Sequence, residues 1–414
     1  MNKLILIMID GISSDKFQQM RHQLPHLDKL AQQGTYVKAL TPEISGTSFP
    51  GRTSMLVGRA PKEHGIYGNK IWDKDVFRWS NPYDVRTETI ASLTKQAGGD
   101  VVNVGFGMVR PEDCHLYINP WWTHDVLSDA ADGSPHPKNA AWKMLNKNLD
   151  PSERLAALGV SAKDIVDVSQ ERSQTLSLGT LADFQLIELA SKIIAGDSAP
   201  DFIMMEVAVT DYFLHVYGTD HPITELSLRT ADAQVGMLIE RLRNSGHLDQ
   251  YNFAIMSDHG HHLMAESIHC DVLLPEGCRW SSEGSMLFIA PRSAKEALEV
   301  TKRLAEQGIE KWPEPLLPDD IDDQLLVFCC PAGQYISFEK DLQKTGAIKG
   351  TSKYQSNHGM RPGTSEDYRF CIFSGPNVPS QSIDFAEAIQ IAPTIAEILG
   401  VATPWQATPL LKAL

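Results

Sequence analysis

An α/β fold built on a mostly parallel sheet is what this sequence predicts, and three observations predict it. Residues 3–9 (KLILIMI), 202–209 and 252–256 are continuous apolar runs without alternation, the pattern of strands covered on both faces. Each run closes on an acid: Asp10, Asp211 and Asp258. Between the runs lie segments with apolar residues at helical spacing, so strands and helices alternate as in βαβ units.

Composition bounds what such a fold can do. The 414 residues allow one large α/β domain with insertions. Lys+Arg 37 against Asp+Glu 52 gives a net charge of −15, with no block of like charges, which excludes a surface that tracks nucleic acid. The 6 cysteines (114, 270, 278, 329, 330 and 371) show no Cys-x-x-Cys spacing and read as free buried thiols. Met1-Asn2-Lys3 passes straight into the first strand, with no room for a signal h-region, and no apolar run is long enough to span a membrane. A cytoplasmic protein is the expectation. Partners are then small molecules, with no membrane; nothing in the sequence speaks to oligomeric state.

Taken in order, the first strand ends at Asp10-Gly11, placing a carboxylate at the strand end where open α/β sheets bind ligands. A helix at about 24–33 stops at Gly34, and a second strand (TYVKAL) leads to Thr41-Pro42. Residues 53–57 read as a helix starting just beyond Ser48-Phe49-Pro50-Gly51, so Ser48 sits near a helix N-terminus whose N–H groups favour an anion. After a strand at about 100–106, the segment 110–170 is rich in loops and tryptophans and reads as an insertion or lid. A helix over about 180–194 precedes the strand that ends at Asp211, and a long helix (about 224–243) precedes the strand that ends at Asp258. Residues 260–350 hold a strand (MLFIA), a helix and a proline-rich linker, read as an inserted cap. The chain closes with Asn357-His358-Gly359, a strand at 368–373 and a helix at 391–399.

Chemistry concentrates at the strand ends. Asp10, Asp211 with His215, Asp258 with His259, and His358 are carboxylates and imidazoles without thiolates, a donor set that suits zinc and, less selectively, manganese or iron. Asp211 and His215 lie one helical turn apart and can converge on one ion. Alone, an Asp-x-x-x-His is commonly a surface pair and Asp-His-Gly commonly a turn; three acids closing three buried strands are a constellation. A serine hydroxyl is a weak nucleophile until a base or metal activates it, and these residues offer the metal route for Ser48. His261 and His262 read as outer or solvent-facing residues, and His64 as structural. Trp121, Trp122 and Tyr212 read as packing that can also reach substrate.

The ordered motifs Asp10-Gly11, Ser48-Phe49-Pro50, His64-Gly65 to Asn69, Asp211-x-x-x-His215, Ser257-Asp258-His259-Gly260 and His358-Gly359 together resemble the alkaline phosphatase superfamily, nearest its nucleotide pyrophosphatase/phosphodiesterase branch. The resemblance implies an alkaline-phosphatase-like three-layer sandwich over residues 1–414, with metals at strand C-terminal ends and caps inserted at 110–170 and 260–350. It implies two divalent ions, zinc in the family: one on Asp211, His215 and His358, the other on Asp10, Asp258, His259 and the Ser48 oxygen. Asn69 falls where relatives bind a phosphoryl oxygen, and Phe49 where nucleotide-hydrolysing relatives contact the base. The implied reaction is hydrolysis of phosphodiester or nucleotide pyrophosphate bonds through a phosphoseryl intermediate.

Two departures leave the substrate open. Ser48 stands where this branch usually has threonine, and Gly51-Arg52 where many members show Asn-His. A phosphonate hydrolase, a phosphomonoesterase or a phosphomutase of the same superfamily remains an alternative. Ser48-x-Pro50-x-Arg52 also has the spacing of the sulfatase signature, although sulfatases carry paired acids after the first strand, one calcium and a formylglycine. The alternative of another class is a non-catalytic phosphoryl-ligand binder.

Overall fold

Strand β1 (Lys3–Ile9) lies near the middle of an eight-stranded sheet, its residues from Leu4 to Ile9 fully buried. The computed structural model describes residues 1–42, 45–123, 140–145, 147–161, 165, 175–313 and 316–412. The other strands are β2 (Thr35–Thr41), β3 (Val101–Val104), β4 (Leu116–Ile118), β5 (Phe202–Val207), β6 (Tyr251–Met256), β7 (Arg369–Ser374) and β8 (Gln381–Glu387). They run in the order β8-β2-β7-β6-β1-β5-β3-β4. All pairs are parallel except those of β7, which is antiparallel to both β6 and β2.

That one reversal positions the site. β1, β5 and β6 end at a single edge of the sheet, where Asp10, the segment after Val207 and Asp258 emerge. Because β7 runs the other way, it begins at this same edge, and the loop that feeds it brings His358 there. Helices α1 (Ser48–Leu56), α2 (Thr175–Ile194), α3 (Val209–Tyr217), α4 (Pro222–Asn244) and α5 (Ile391–Leu399) cover the sheet. α5 packs on β1 and α1, whereas α2 packs on β5, β3, α3 and α4, so the sheet is a middle layer. This is the α/β sandwich expected.

Two boundaries differ from the sequence reading. The strand expected over 202–209 stops at Val207 and α3 opens at Val209, so Asp211 belongs to a helix's first turn rather than a strand end. α1 begins at Ser48 itself, with Thr47 as its extended N-cap, instead of just beyond Gly51. Within 260–350 the chain forms a second, four-stranded antiparallel sheet from Arg279–Ser282, Met286–Ala290, Leu326–Cys329 and Glu310–Lys311, with apolar clusters of its own. Much of the insertion expected at 110–170 lies outside the described residues. Of the part described, Trp142 is buried and donates to Ser80 O at 2.6 Å.

Candidate active site and metal-binding clusters

The turn after β1 is tied to the turn after β6. Gly11, with φ at 80°, donates its N–H to Asp258 Oδ1 (3.2 Å), and Ile12 donates to Ser257 Oγ (2.8 Å). These bonds bring Asp10, Asp258 and His259 into one cluster whose ligand atoms lie within 4.8 Å of one another. His259 Nδ1 faces its neighbour's carbonyl, Gly260 O, at 3.1 Å, and a carbonyl can only accept. The ring proton therefore sits on Nδ1, leaving the Nε2 lone pair 3.3 Å from Asp10 Oδ1 and 3.3 Å from Ser48 Oγ.

A second cluster joins Asp211, His215 and His358 with His261. Ser356 sets the tautomers here. Its carbonyl lies 3.0 Å from His215 Nδ1, so that nitrogen donates. Its hydroxyl gives its one proton to Leu214 O (2.6 Å), so His261 Nδ1, 3.0 Å away, must also be a donor. Both rings are left with Nε2 toward Asp211: His261 at 2.7 Å from Oδ1, His215 at 3.3 Å from Oδ2. A lone pair held against a carboxylate oxygen is repulsive unless a proton or a metal cation lies between them. The two clusters adjoin, with His259 Nε2 4.0 Å from Asp211 Oδ1.

Electrostatics act on the same contacts when no ion is bound. Burial pushes the Asp10 carboxyl up to about 7, opposed by Arg52 and reinforced by Asp211. Burial and then Asp10's charge push Asp258 up to about 7 as well. Burial would likewise raise Asp211, but where a proton stands in the place of an ion, Asp211 raises His215 against its burial, and the resulting charge, with bonds from His215 and His261, holds the Asp211 carboxyl well below its ordinary value. Asp10 Oδ1 and His358 Nδ1 are buried without a hydrogen-bond partner. Orphaned buried acceptors among carboxylates and neutral imidazoles are what a divalent cation satisfies, so the residues fit the metal sites that the resemblance implies.

Ser48 opens α1. The first turn has little to offer an anion, contrary to the sequence reading: Gly51 N–H is committed to Thr47 O, Pro50 has none, and Phe49 N–H goes to Asn69 Oδ1 at 2.8 Å. That last bond fixes the Asn69 carboxamide beside Ser48 and leaves its NH2 group as the donor at the cleft. Phe49 is 3% exposed, its ring among Trp79, Trp122 and Trp142 at 5.4–5.6 Å. Phe49, Trp79, Trp122 and Tyr212 line the same cleft of about 1040 Å3, so the position expected to meet a base shares its wall with two tryptophans.

Four residues given no site role by the sequence reading belong to this centre. Arg52, 2% exposed, donates to Asp10 Oδ2 (2.6 Å), Asp258 Oδ2 (2.7 Å) and Glu206 Oε2 (3.0 Å). Glu206 also accepts from Gly107 N (3.0 Å) and from Trp122 Nε1. With its guanidinium engaged by three carboxylates, Arg52 serves the metal-side acids, whatever its place in the Ser-x-Pro-x-Arg spacing. His261 is buried within the second cluster rather than outside it, while His262 stacks on Tyr335 at 3.5 Å. The fourth, Glu283, comes from the second sheet, in the turn between Arg279–Ser282 and Met286–Ala290. His64 is buried, accepts from Ile66 N at 3.1 Å, and stays apart from both clusters.

Residues 4–328 match the family model for type I phosphodiesterase/nucleotide pyrophosphatase, over more than three quarters of the chain. The chain belongs to that family. It is 24% identical over 258 residues to human ectonucleotide pyrophosphatase/phosphodiesterase family member 1, covering 62% of this chain and 23% of that protein. It is 23% identical over 276 residues to a venom phosphodiesterase of Crotalus durissus collilineatus, covering 65% and 27%. The chain thus spans about a quarter of the length of the curated relatives it matches. Among solved structures, murine ectonucleotide pyrophosphatase/phosphodiesterase 5 superposes with a TM-score of 0.69 at 16% identity, over 98% of this chain and 97% of that one, which establishes the common fold.

Proposed function

We propose that this chain is a metal-dependent hydrolase of phosphodiesters, nucleotide pyrophosphate bonds among them, with Ser48 as the nucleophile. The observation that carries the reading is a pair of adjoining ligand clusters, one of which brings His259 Nε2 to 3.3 Å from Ser48 Oγ. One divalent ion would be held by Asp211, His215 and His358, with His261 as a further donor. The other would be held by Asp10, Asp258, His259 and the Ser48 oxygen, and the oxygen- and nitrogen-donor set favours zinc for both. Ions bound there supply positive charge that lowers the pKa of a hydroxyl and offsets the charge of the phosphoryl group.

The chain's own residues do the rest. Ser48, its proton lost, attacks phosphorus in line as the P–O bond to the leaving group opposite breaks, and it carries the phosphoryl group until water attacks and the P–O bond to Ser48 breaks in turn. Asn69, its oxygen fixed by Phe49 N–H, presents its NH2 to a phosphoryl oxygen as charge develops. Phe49, Trp79, Trp122 and Tyr212 offer aromatic surface to a leaving group such as a nucleoside. A cytoplasmic setting is part of the proposal, supported by six cysteines that are all unpaired. The test is turnover of a p-nitrophenyl phosphodiester by zinc-loaded protein, compared with monoester and phosphonate substrates. Ser48→Ala should lose at least about 1,000-fold in kcat with metal content retained; unchanged turnover in that variant removes the mechanism.

A further inference from the structure

Asn69 is held by several hydrogen bonds, and one of them comes from a part of the chain far from the nucleophile. Its carbonyl accepts from Ser80 N (2.9 Å) and its side-chain oxygen from Phe49 N (2.8 Å). Its own N–H donates to Glu283 Oε2 (2.8 Å), while the next N–H, of Lys70, donates to Glu283 Oε1 (2.9 Å). The Thr47 side chain, one residue before Ser48, hydrogen-bonds the same carboxylate. Glu283 stands in the turn of the cap hairpin between Arg279–Ser282 and Met286–Ala290, and it is 3% exposed.

The hairpin turn is seated with no slack. A Cβ on Gly284, whose φ is 78°, would stand 2.0 Å from His358 O, and one on Gly359 would stand 1.6 Å from Glu283 O. A buried carboxylate taking two backbone N–H bonds across such a contact makes short charge-assisted bonds that hold the peptide it grips in place. We infer that Glu283 is the positioning residue for the phosphoryl-binding amide, so that the cap completes the catalytic centre by holding Asn69 in register with Ser48. This rests on the role proposed for Asn69. Glu283 lines the same cleft, and the role assigned to it is exerted through Asn69.

A double-mutant cycle on the zinc-loaded full chain tests it. Glu283→Ala is expected to lower kcat about 30- to 100-fold with KM changed less than threefold and both ions retained, since a displacement near 1 Å at a reacting group costs about that much. In an Asn69→Ala background the same change is expected to lower kcat less than threefold, because the group it positions is gone. Glu283→Gln, which keeps one acceptor oxygen, should recover part of the loss and also serves if the alanine variant fails to fold. Glu296→Ala, which removes a buried cap carboxylate bonded to Arg292, controls for cap stability and should leave kcat unchanged. An equal loss in both backgrounds, or full turnover by Glu283→Ala, overturns the assignment while leaving the two-metal reading intact. Full turnover by Asn69→Ala overturns it together with the role given to Asn69.

Discussion

Arg52→Met tests the buried electrostatics under the site. The guanidinium sits at 2.6, 2.7 and 3.0 Å from oxygens of Asp10, Asp258 and Glu206, all of them buried. At an effective dielectric near 20, unit charges about 4 Å apart attract by roughly 4 kcal/mol per pair, but burying the guanidinium costs several kcal/mol of hydration. Deleting one partner of a buried pair commonly costs about 3–5 kcal/mol net. For 414 residues, an unfolding entropy of about 2.1 cal/mol/K per residue gives roughly 0.9 kcal/mol/K. The metal-free variant should therefore melt about 3–6 °C below the metal-free wild type by scanning calorimetry. With zinc bound at Asp10 and Asp258, the ion takes over part of the compensation and the drop should shrink. A metal-free Arg52→Met protein that melts within about 1 °C of wild type would refute the reasoning, since three buried acids would then need no cation.

Two further predictions concern the metal. Asp10 and Asp258 are pushed up to about 7 by burial, so below that pH protons compete for the same oxygens. Zinc affinity, measured by competition with a chromophoric chelator, should fall as pH drops from 8 to 6, by up to about 100-fold per unit for two protons; a flat profile contradicts it. Because both folded-state values are raised above the unfolded ones, the stability these groups contribute is present in acid and lost as pH rises through 7. Buried His64 and His261, held neutral, add stability as pH rises to about 6.5, so metal-free protein should lose melting temperature between about pH 6.5 and 8, and zinc should reverse the trend. His261→Gln should leave about one ion per chain after dialysis against submicromolar zinc, read by elemental analysis, because it removes a donor beside Asp211; two retained ions would place His261 outside the ligand set.

Much of the layout was legible in the sequence because buried parallel strands are apolar throughout and the acids that end them stand out. The same continuity hid one boundary: 202–209 is apolar across the break between β5 and α3, so Asp211 read as a strand end when it is the first turn of a helix. β8 went unread because QSIDFAE is exposed at most positions and has no apolar face to betray it. Glu206 left a signal, a lone carboxylate inside a buried apolar strand. Arg52 was visible only as part of a motif, since its partners Asp10 and Asp258 lie 42 and 206 residues away and only the fold assembles them. His261 follows the Asp-His-Gly turn, and its place inside the cluster depends on Ser356, 95 residues on. Glu283 belongs to no motif at all.

The central claim is that the reaction passes through Ser48 in two displacements. The most direct test is the stereochemical course at phosphorus, followed with a phosphorothioate diester of known configuration hydrolysed in isotopically labelled water by the zinc-loaded protein. Two successive in-line displacements give net retention, which is the result predicted. Inversion would mean that water attacks the substrate directly, and would contradict the account.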